Sequence, residues 1–212
     1  MENFITIKEN IKTEITVKKS KFICNLIKVE NTEEAENAIK EIKKKFHDAR
    51  HNCVAYRVFD GRQIVEKSSD DGEPSGTAGA PMLNVLQKNN LCNVATIVTR
   101  YFGGILLGTG GLVKAYSDVT LNAISKAEKI EICHGIEMEA VLEYNNLETF
   151  KYYCKKNDIY IKECSYEEKI ICRIELEEKN KDKLIDDFNT KKINLLNLKF
   201  LSKKLINKSK SN

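Results

Sequence analysis

The sequence has no hydrophobic run long enough to cross a membrane. Its best candidate, residues 94–107, is interrupted by Arg100. It is also shorter than the roughly 18 apolar residues that a spanning helix needs. The first residues lack the basic and apolar regions of a secretion signal. We therefore expect a cytoplasmic protein without a membrane partner.

The sequence also lacks the cysteine pairs of a metal site or a secreted disulfide framework. Its seven cysteines are an odd number without a C-x-x-C pair. Zinc sites show paired spacing, and secreted frameworks are usually even and denser. Most of the cysteines stand among Ile, Val or Leu, so they are interpreted as small buried apolar residues in a reducing compartment. No metal and no cofactor is predicted.

Glycine and proline are scarce outside one segment. Nine of the ten glycines and both prolines lie between Gly61 and Gly111, and most of them fall in three glycine-rich stretches at 72–79, 101–104 and 108–116. A glycine loop that leads into a helix N-terminus suits an anion. However, the Walker A and dinucleotide-binding motifs are absent, because Val113 precedes Lys114 where glycine would be needed. The stretches therefore indicate either anion binding or purely structural turns.

The charge is unevenly distributed over an otherwise ordinary globular composition. Of the 212 residues, 42% are hydrophobic and 31% are charged, and the net charge is +4. No acidic residue follows Asp187, whereas seven lysines do, at positions 191, 192, 199, 203, 204, 208 and 210. This basic end either follows a phosphate backbone or is a solvated tail.

Hydrophobic periodicity predicts two domains. Two-residue alternation predicts strands, and helical spacing predicts helices after Asn31, from Pro81 and after Gly108. The predicted early strands are 5–7, 11–17, 22–29, 53–59, 62–66 and 94–102, with a hairpin turn at residues 60–61. After Gly135, strands at 136–144, 159–166, 169–176 and 193–201 and helices at 147–156 and 180–188 follow. This β-α-β-β-α-β order is typical of a ferredoxin-like domain, and the boundary is expected near residues 130–137.

Carboxylates cluster in the first glycine-rich stretch. Asp70, Asp71 and Glu73 could hold Mg²⁺ or act in acid–base catalysis, and Ser75 and Thr77 are conceivable nucleophiles. The stretch is not a G-x-S-x-G elbow, and a triad would also need a placed histidine. We assign no catalytic residue and keep a metal-dependent or phosphate-binding hydrolase as an alternative. Acidic loops are more often solvated surface.

Aromatic and basic residues occur together near the ends of the predicted strands. This combination is typical of a platform for single-stranded nucleic acid. The alternative is that Tyr56 and Phe102 are core residues. The residues concerned are Tyr56, Tyr101, Phe102 and Tyr116, with Arg57, Arg100 and Lys114.

Three motifs resemble those of the YigZ/IMPACT family, and the resemblance extends over the whole chain because bacterial members also carry a C-terminal ferredoxin-like domain. The motifs are HNCVAY at 51–56, SDDGEPSGTAG at 69–79 and VTRYFGGILLGTGGLVKAY at 98–116. Two positions depart from the common pattern. Ala80 stands where many members have Lys or Arg, and Ser117 replaces a glycine.

The resemblance implies an α+β protein of two domains. Residues 1–133 would form a two-layer α/β domain similar to the left-handed βαβ fold of certain ribosomal proteins and of domain IV of elongation factor G. Residues 137–203 would form a ferredoxin-like domain similar to domain V of that factor. Residues 204–212 would be a basic tail.

The resemblance also implies a non-catalytic regulator linked to translation. Eukaryotic IMPACT binds the activator of a starvation-sensing translation kinase. Bacteria lack that pathway, so only a general link to translation carries over. The expected partner is the ribosome or RNA. The alternative is a pure protein-interaction module that binds a translation-associated protein, and the oligomeric state is left open.

The candidate site combines this chemistry with the matched motifs. We expect contacts to phosphate or nucleic acid from Arg100, Tyr101, Gly103, Gly104, Gly108, Thr109, Gly110, Gly111 and Lys114. The sequence assigns no role to the other motif residues, which are His51, Asp70, Asp71, Glu73, Ser75 and Thr77.

Overall fold

The computed structural model describes residues 3–208, which form two compact units. One unit comprises residues 4–129, and the other comprises residue 3 and the chain from residue 130 onward. Part of the predicted basic tail, including Lys210, lies outside the described residues.

The first unit is built around an antiparallel sheet. Its five strands are β2 (Ile11–Val17), β3 (Ser20–Lys28), β4 (His51–Phe59), β5 (Ile64–Ser69) and β6 (Val94–Tyr101), and the short strand β1 (Phe4–Ile7) of the same unit is not part of this sheet. Its helices are α1 (Thr32–Lys45), α2 (Gly79–Lys88) and α3 (Gly108–Lys126). The strand order is β2-β3-β6-β4-β5. The strands and helices predicted from periodicity are present within a few residues of their expected bounds.

Helices cover both faces of this sheet. Cys53 and Ala55 of β4 belong to the core under α2 and α3, whereas Val54 and Val58 belong to the core under α1. The predicted two-layer domain is therefore wrong, and the unit has three layers. The reason is that β4 is apolar at successive positions, and a strand with two apolar faces needs a cover on each.

The two helical crossovers of the sheet have opposite hands. Strands β3 and β4 are parallel and joined through α1, and β5 and β6 are parallel and joined through α2. Compared with the crossover through α1, the crossover through α2 joins strands that run the opposite way, and it moves across the sheet in the opposite direction. These two reversals together leave the hand unchanged. The helix α2 lies on the other face of the sheet from α1, and this third difference inverts the hand. One of the two crossovers is therefore left-handed, the rare hand for parallel strands.

The second unit is an antiparallel sheet with two helices on one face. Its elements are β7 (Lys129–Leu142), α4 (Leu147–Lys156), β8 (Tyr160–Tyr166), β9 (Ile170–Glu177), α5 (Lys181–Asn189) and β10 (Asn197–Asn207). Among the strands of this unit the order is β10-β7-β9-β8. Phe150 of α4 and Leu184 of α5 share a core with alternate residues of β7 and β9. The predicted β-α-β-β-α-β order is confirmed.

Part of the expected basic tail belongs to the sheet. β10 pairs with β7 as far as Asn207, so the prediction of a tail is wrong for residues 204–207. Pairing with β7 makes these residues part of a strand, and the mixture of Lys and Leu in the segment does not indicate that pairing. Several C-terminal lysines are also neutralised by ion pairs: Lys192 with Asp187, Lys203 with Glu178, Lys204 with Glu137 and Glu175, and Lys208 with Glu131.

Five cysteines are free and buried as predicted, and Cys172 is buried as well, but it is bonded to another cysteine. Cys164 and Cys172 lie directly opposite each other on β8 and β9, with Cα atoms 4.2 Å apart, and form a disulfide. Their meeting depends on the register of the hairpin, which sequence spacing alone does not reveal. Within residues 3–208, no helix is long and apolar enough to cross a membrane.

Candidate functional site

A cleft of about 400 Å³ lies where the glycine-rich stretches of the first unit meet. The start of β4 and the end of β6 place it, because His51 and Arg100 are paired across these strands. We call it the motif cleft. It is lined by Arg50, His51, Gly72, Glu73, Pro74, Arg100, Phe102, Leu106, Leu107, Gly108, Thr109 and Leu112.

Asp70 anchors the loop on one side of the motif cleft, residues 70–79, which we call the motif loop. Its carboxylate accepts hydrogen bonds from the backbone N–H groups of Gly76 at 2.8 Å, Ala78 at 3.0 Å and Gly79 at 2.8 Å. Burial alone would raise the pKa of Asp70, but the three donors outweigh it and lower the pKa below its ordinary value. The side chain therefore fixes the loop by binding three of its backbone N–H groups.

Replacing Asp70 by asparagine is expected to destabilise the protein by about 1–3 kcal/mol at neutral pH, because an amide cannot accept all three hydrogen bonds. The pKa of Asp70 is lowered by folding, so its stabilisation is present above the unfolded pKa and is lost as the pH falls through the folded one. In urea unfolding, the difference between wild type and variant should shrink below about pH 4. A difference that is constant down to about pH 2.5 would contradict this assignment. The exposed Asp118→Asn on α3 is the control.

Asp71 and His51 hold the other end of the motif loop. Asp71 has a positive φ of 45°, and its carboxylate accepts from the Asn52 N–H at 2.7 Å and pairs with Lys43. The His51 ring nitrogen Nδ1 lies 2.9 Å from the Asp71 carbonyl oxygen. A carbonyl only accepts, so Nδ1 carries a proton, and in the neutral ring the acceptor is Nε2.

Arg100 and Glu73 form a buried ion pair at the base of the cleft. Nη1 of Arg100 lies 2.8 and 3.0 Å from the two carboxylate oxygens of Glu73, and the side chains are only 8% and 3% exposed. The Tyr116 hydroxyl donates to the same carboxylate at 2.8 Å. The guanidinium lies between the rings of Phe22 and Phe102, at 5.5 and 5.6 Å from their centroids. Nε of Arg100 is buried and has no hydrogen-bond partner among the described residues.

The three acidic side chains of the motif loop do not converge. Asp70 is bound to backbone N–H groups, Asp71 to Asn52 and Lys43, and Glu73 to Arg100. Across residues 3–208, no group of three or more His, Cys, Asp or Glu side chains could hold a metal ion.

The Thr77 hydroxyl and the Cys53 thiol are also engaged in the fold. Thr77 donates its hydroxyl to the Pro74 carbonyl at 2.7 Å, and Ser75 is exposed beside it. Burial raises the pKa of the Cys53 thiol to about 12, so it is not a thiolate nucleophile at neutral pH.

The start of α3 forms the opposite side of the cleft. Gly108 has φ +74° and begins the helix, and Gly108 and Thr109 line the cleft. Leu107 at the N-cap supplies no side-chain acceptor, and the first turn contains no acidic residue. The N–H groups of this turn and the positive end of the helix dipole are therefore available to an anion. Gly110 and Lys114 are exposed further along the helix, and Gly111 packs near Leu107.

The remaining candidates flank the cleft. Tyr101 hydrogen bonds through its hydroxyl to Asp48 at 2.9 Å, and this hydrogen bond raises its pKa. Gly103 packs against the β2–β3 turn, and Gly104 adopts φ +83° in open space.

Sequence reasoning missed several residues of the cleft. Tyr56 is a core residue at 5% exposure, but Phe102 is 55% exposed, which contradicts its interpretation as core. Arg50 lines the cleft, and Leu106 beside it is 82% exposed. Nothing in their spacing indicates that these side chains line a cleft, although Phe102 and Leu106 belong to the motif at 98–116 and Arg50 directly precedes the motif at 51–56.

Fold and cleft together define a two-domain α+β protein whose first domain is a helix-covered antiparallel sheet with a polar cleft between glycine-rich loops. Residues 18–124 match the Impact N-terminal domain. The chain is 38% identical over 179 residues to the IMPACT family member YvyE of Bacillus subtilis, covering 84% of this chain and 82% of that protein. The protein belongs to the IMPACT family.

Two further comparisons agree with this membership. The chain is 36% identical over 163 residues to the IMPACT family member YigZ of Escherichia coli, covering 76% of this chain and 79% of that protein. A crystal structure of a hypothetical protein aligns with a TM-score of 0.60 and 31% identity, covering 92% of this chain and 97% of that one. The similarity therefore includes both units.

Proposed function

We propose that the protein is a non-catalytic, cytoplasmic regulator linked to translation, and that it binds RNA phosphates, on the ribosome or free, in the motif cleft. The supporting observation is the uncapped start of α3, which lines the same cleft as the exposed and unpaired guanidinium of Arg50, ion pairs being considered within residues 3–208. Helix N–H groups and guanidinium groups are the donors that bind phosphate.

The two units support the finer fold assignment that goes with this proposal. The left-handed crossover of the first unit agrees with the ribosomal-protein-type βαβ fold. The order β10-β7-β9-β8 agrees with a ferredoxin-like second domain. The family resemblance compares these two folds with domains IV and V of elongation factor G, which favours a ribosome link.

The second unit is the less suitable surface for RNA. The sheet face opposite its helices carries Glu137 and Glu175, and Lys204 bridges both of them. RNA-binding sheets of this general type present aromatic residues on their central strands. We therefore place the RNA contact on the first unit.

Cosedimentation with ribosomes over a salt series tests this function. Wild type should bind with an affinity that falls with salt, and Arg50→Ala and Lys114→Ala should each reduce the slope of log K against log salt by about 0.7–0.9. Arg62→Ala, an equal loss of charge at the exposed β4–β5 turn, is the matched control. If Arg50→Ala and Lys114→Ala both bind like the control, the cleft is not the contact.

A protein-interaction module is the second candidate, because the loop between β6 and α3 exposes apolar side chains. Ile105 is 42% exposed and Leu106 is 82% exposed. Such residues mark docking surfaces when they adjoin a cleft. Binding that survives nuclease treatment and is lost in Leu106→Ser would favour this candidate over RNA.

A further inference from the structure

The β2–β3 turn places two lysines in a backbone conformation that lysine rarely adopts. Val17 pairs with Ser20, so Lys18 and Lys19 are the two central residues of the turn. Their φ angles are +46° and +66°. A two-residue turn with both angles positive is a type I′ turn, which strongly favours Asn-Gly. The two lysines therefore occupy the turn against the local backbone preference, and such strain concentrates at functional sites.

The turn is fixed to the end of β6 beside the motif cleft. The hydroxyl of Ser20 accepts from the Gly103 N–H at 3.2 Å and lies 3.4 Å from Nη2 of Arg100. A Cβ at Gly103 would lie 2.0 Å from the Lys19 carbonyl carbon, so the two backbones are in direct contact. Arg100, which lines the cleft, is therefore bound to the residue that ends the turn.

The two lysines are free to bind an external anion. Both are exposed, and within residues 3–208 neither has an ion-pair partner. By contrast, the next lysine, Lys21, is paired with Glu14 at 2.9 Å. The positive charge of the turn is therefore not neutralised by the fold.

We infer that the Lys18–Lys19 turn is a second phosphate-binding point and that the ligand is single-stranded RNA, which crosses Phe102 between this turn and the start of α3. This inference rests on the proposed function for the nature of the ligand. The exposed ring of Phe102 is suited to an unstacked base, which only a single strand offers.

The test uses the full chain and fluorescence anisotropy with a labelled oligouridylate of about ten nucleotides. In the double variant Lys18→Asn/Lys19→Gly the two charges are removed, while the turn receives its preferred residues, so the protein should unfold at an equal or higher urea concentration. The slope of log K against log salt should fall by about 1.4. If the variant and the wild type bind equally at about 1 M salt, the affinity of the variant is then roughly 60-fold lower at about 50 mM salt. Lys155→Ala/Lys156→Ala, on the exposed end of α4, removes the same charge and should bind like wild type.

The outcomes separate this inference from the proposed function. If Lys18→Asn/Lys19→Gly binds the oligouridylate like wild type while Arg50→Ala loses ribosome binding, the turn is not a phosphate point and the cleft remains one. If wild type binds ribosomes but no free oligouridylate, the ligand is not single-stranded RNA. The same conclusion follows if wild type binds an RNA duplex of equal length as tightly as the oligouridylate. Three results together would support the inference. The turn variant binds the oligouridylate more weakly without loss of stability, an RNA duplex competes poorly, and Lys155→Ala/Lys156→Ala binds like wild type.

Discussion

Replacing Arg100 by leucine is expected to lower the free energy of unfolding by about 3–5 kcal/mol. The substitution leaves the carboxylate of Glu73, which is 3% exposed, without its cation and with only the Tyr116 hydroxyl as a donor among the described residues. A buried charge without a partner is strongly destabilising. Urea unfolding at neutral pH measures the loss.

A double-mutant cycle separates the ion pair from simple loss of packing. Glu73→Leu should also be strongly destabilising, because it leaves the guanidinium of Arg100 buried. The double variant Arg100→Leu/Glu73→Leu should be less destabilised than the sum of the single variants, by about 2 kcal/mol or more. Additive effects would show that the pair is not coupled. Lys8→Leu, at the exposed pair Lys8–Glu128, is the control and should change stability little.

Because Arg100 stabilises the fold, replacing Arg100 is a poor test of the binding site. A loss of RNA binding in Arg100→Ala would not distinguish a lost phosphate contact from a cleft that no longer forms. Arg50 lines the same cleft from an exposed position and has no ion-pair partner within residues 3–208, so its removal reports on binding alone. Arg100 is best described as a positioning residue that holds the motif loop and Phe102 through Glu73 and ring contacts.

Replacing Gly103 by alanine is the second change with a large expected effect, about 2–3 kcal/mol of destabilisation. The new Cβ would lie 2.0 Å from the carbonyl carbon and 2.1 Å from the carbonyl oxygen of Lys19. These are backbone atoms in a strand turn, so they cannot rotate away as a flexible side chain would. Either β6 or the β2–β3 turn must shift.

Gly110→Ala is the matched control for this substitution. A Cβ there meets nothing within 4 Å, and the residue lies in α3 without a positive φ. Its stability should be unchanged or raised by up to about 1 kcal/mol, because alanine is the better helix former. Equal stability of Gly103→Ala and Gly110→Ala in urea unfolding would contradict the close packing of the turn on β6.

Local patterns predicted the elements of this protein well. The Asn31 cap of α1 is confirmed, since its side chain accepts from the Glu34 N–H at 2.8 Å. Leu147–Lys156 forms a helix at the predicted residues, and the β-α-β-β-α-β order of the second unit is present. These features depend on neighbouring residues and on periodicity, both of which a sequence displays. The family membership also followed from motifs that are continuous in the chain.

Features that depend on pairing between distant residues were not predictable in this way. Arg100 is a cation beside glycines in the sequence, which suggests a phosphate contact, but folding brings Glu73 to it and buries both. Cys164 and Cys172 meet only because of the β8–β9 register. Phe102 continues an apolar strand in the sequence, yet β6 ends at Tyr101 and leaves its ring exposed.

The sequence by itself determined the secondary structure, the two-unit organisation and the glycine-rich loops, because these arise from local backbone preferences and hydrophobic periodicity. The tertiary structure decided which charges remain available. It neutralised Arg100 and much of the basic C-terminal end with acidic partners and left Arg50, Lys18 and Lys19 free. The physical reason is that the availability of a charge depends on its burial and on its nearest opposite charge in space, and both are set by contacts between residues far apart in the chain.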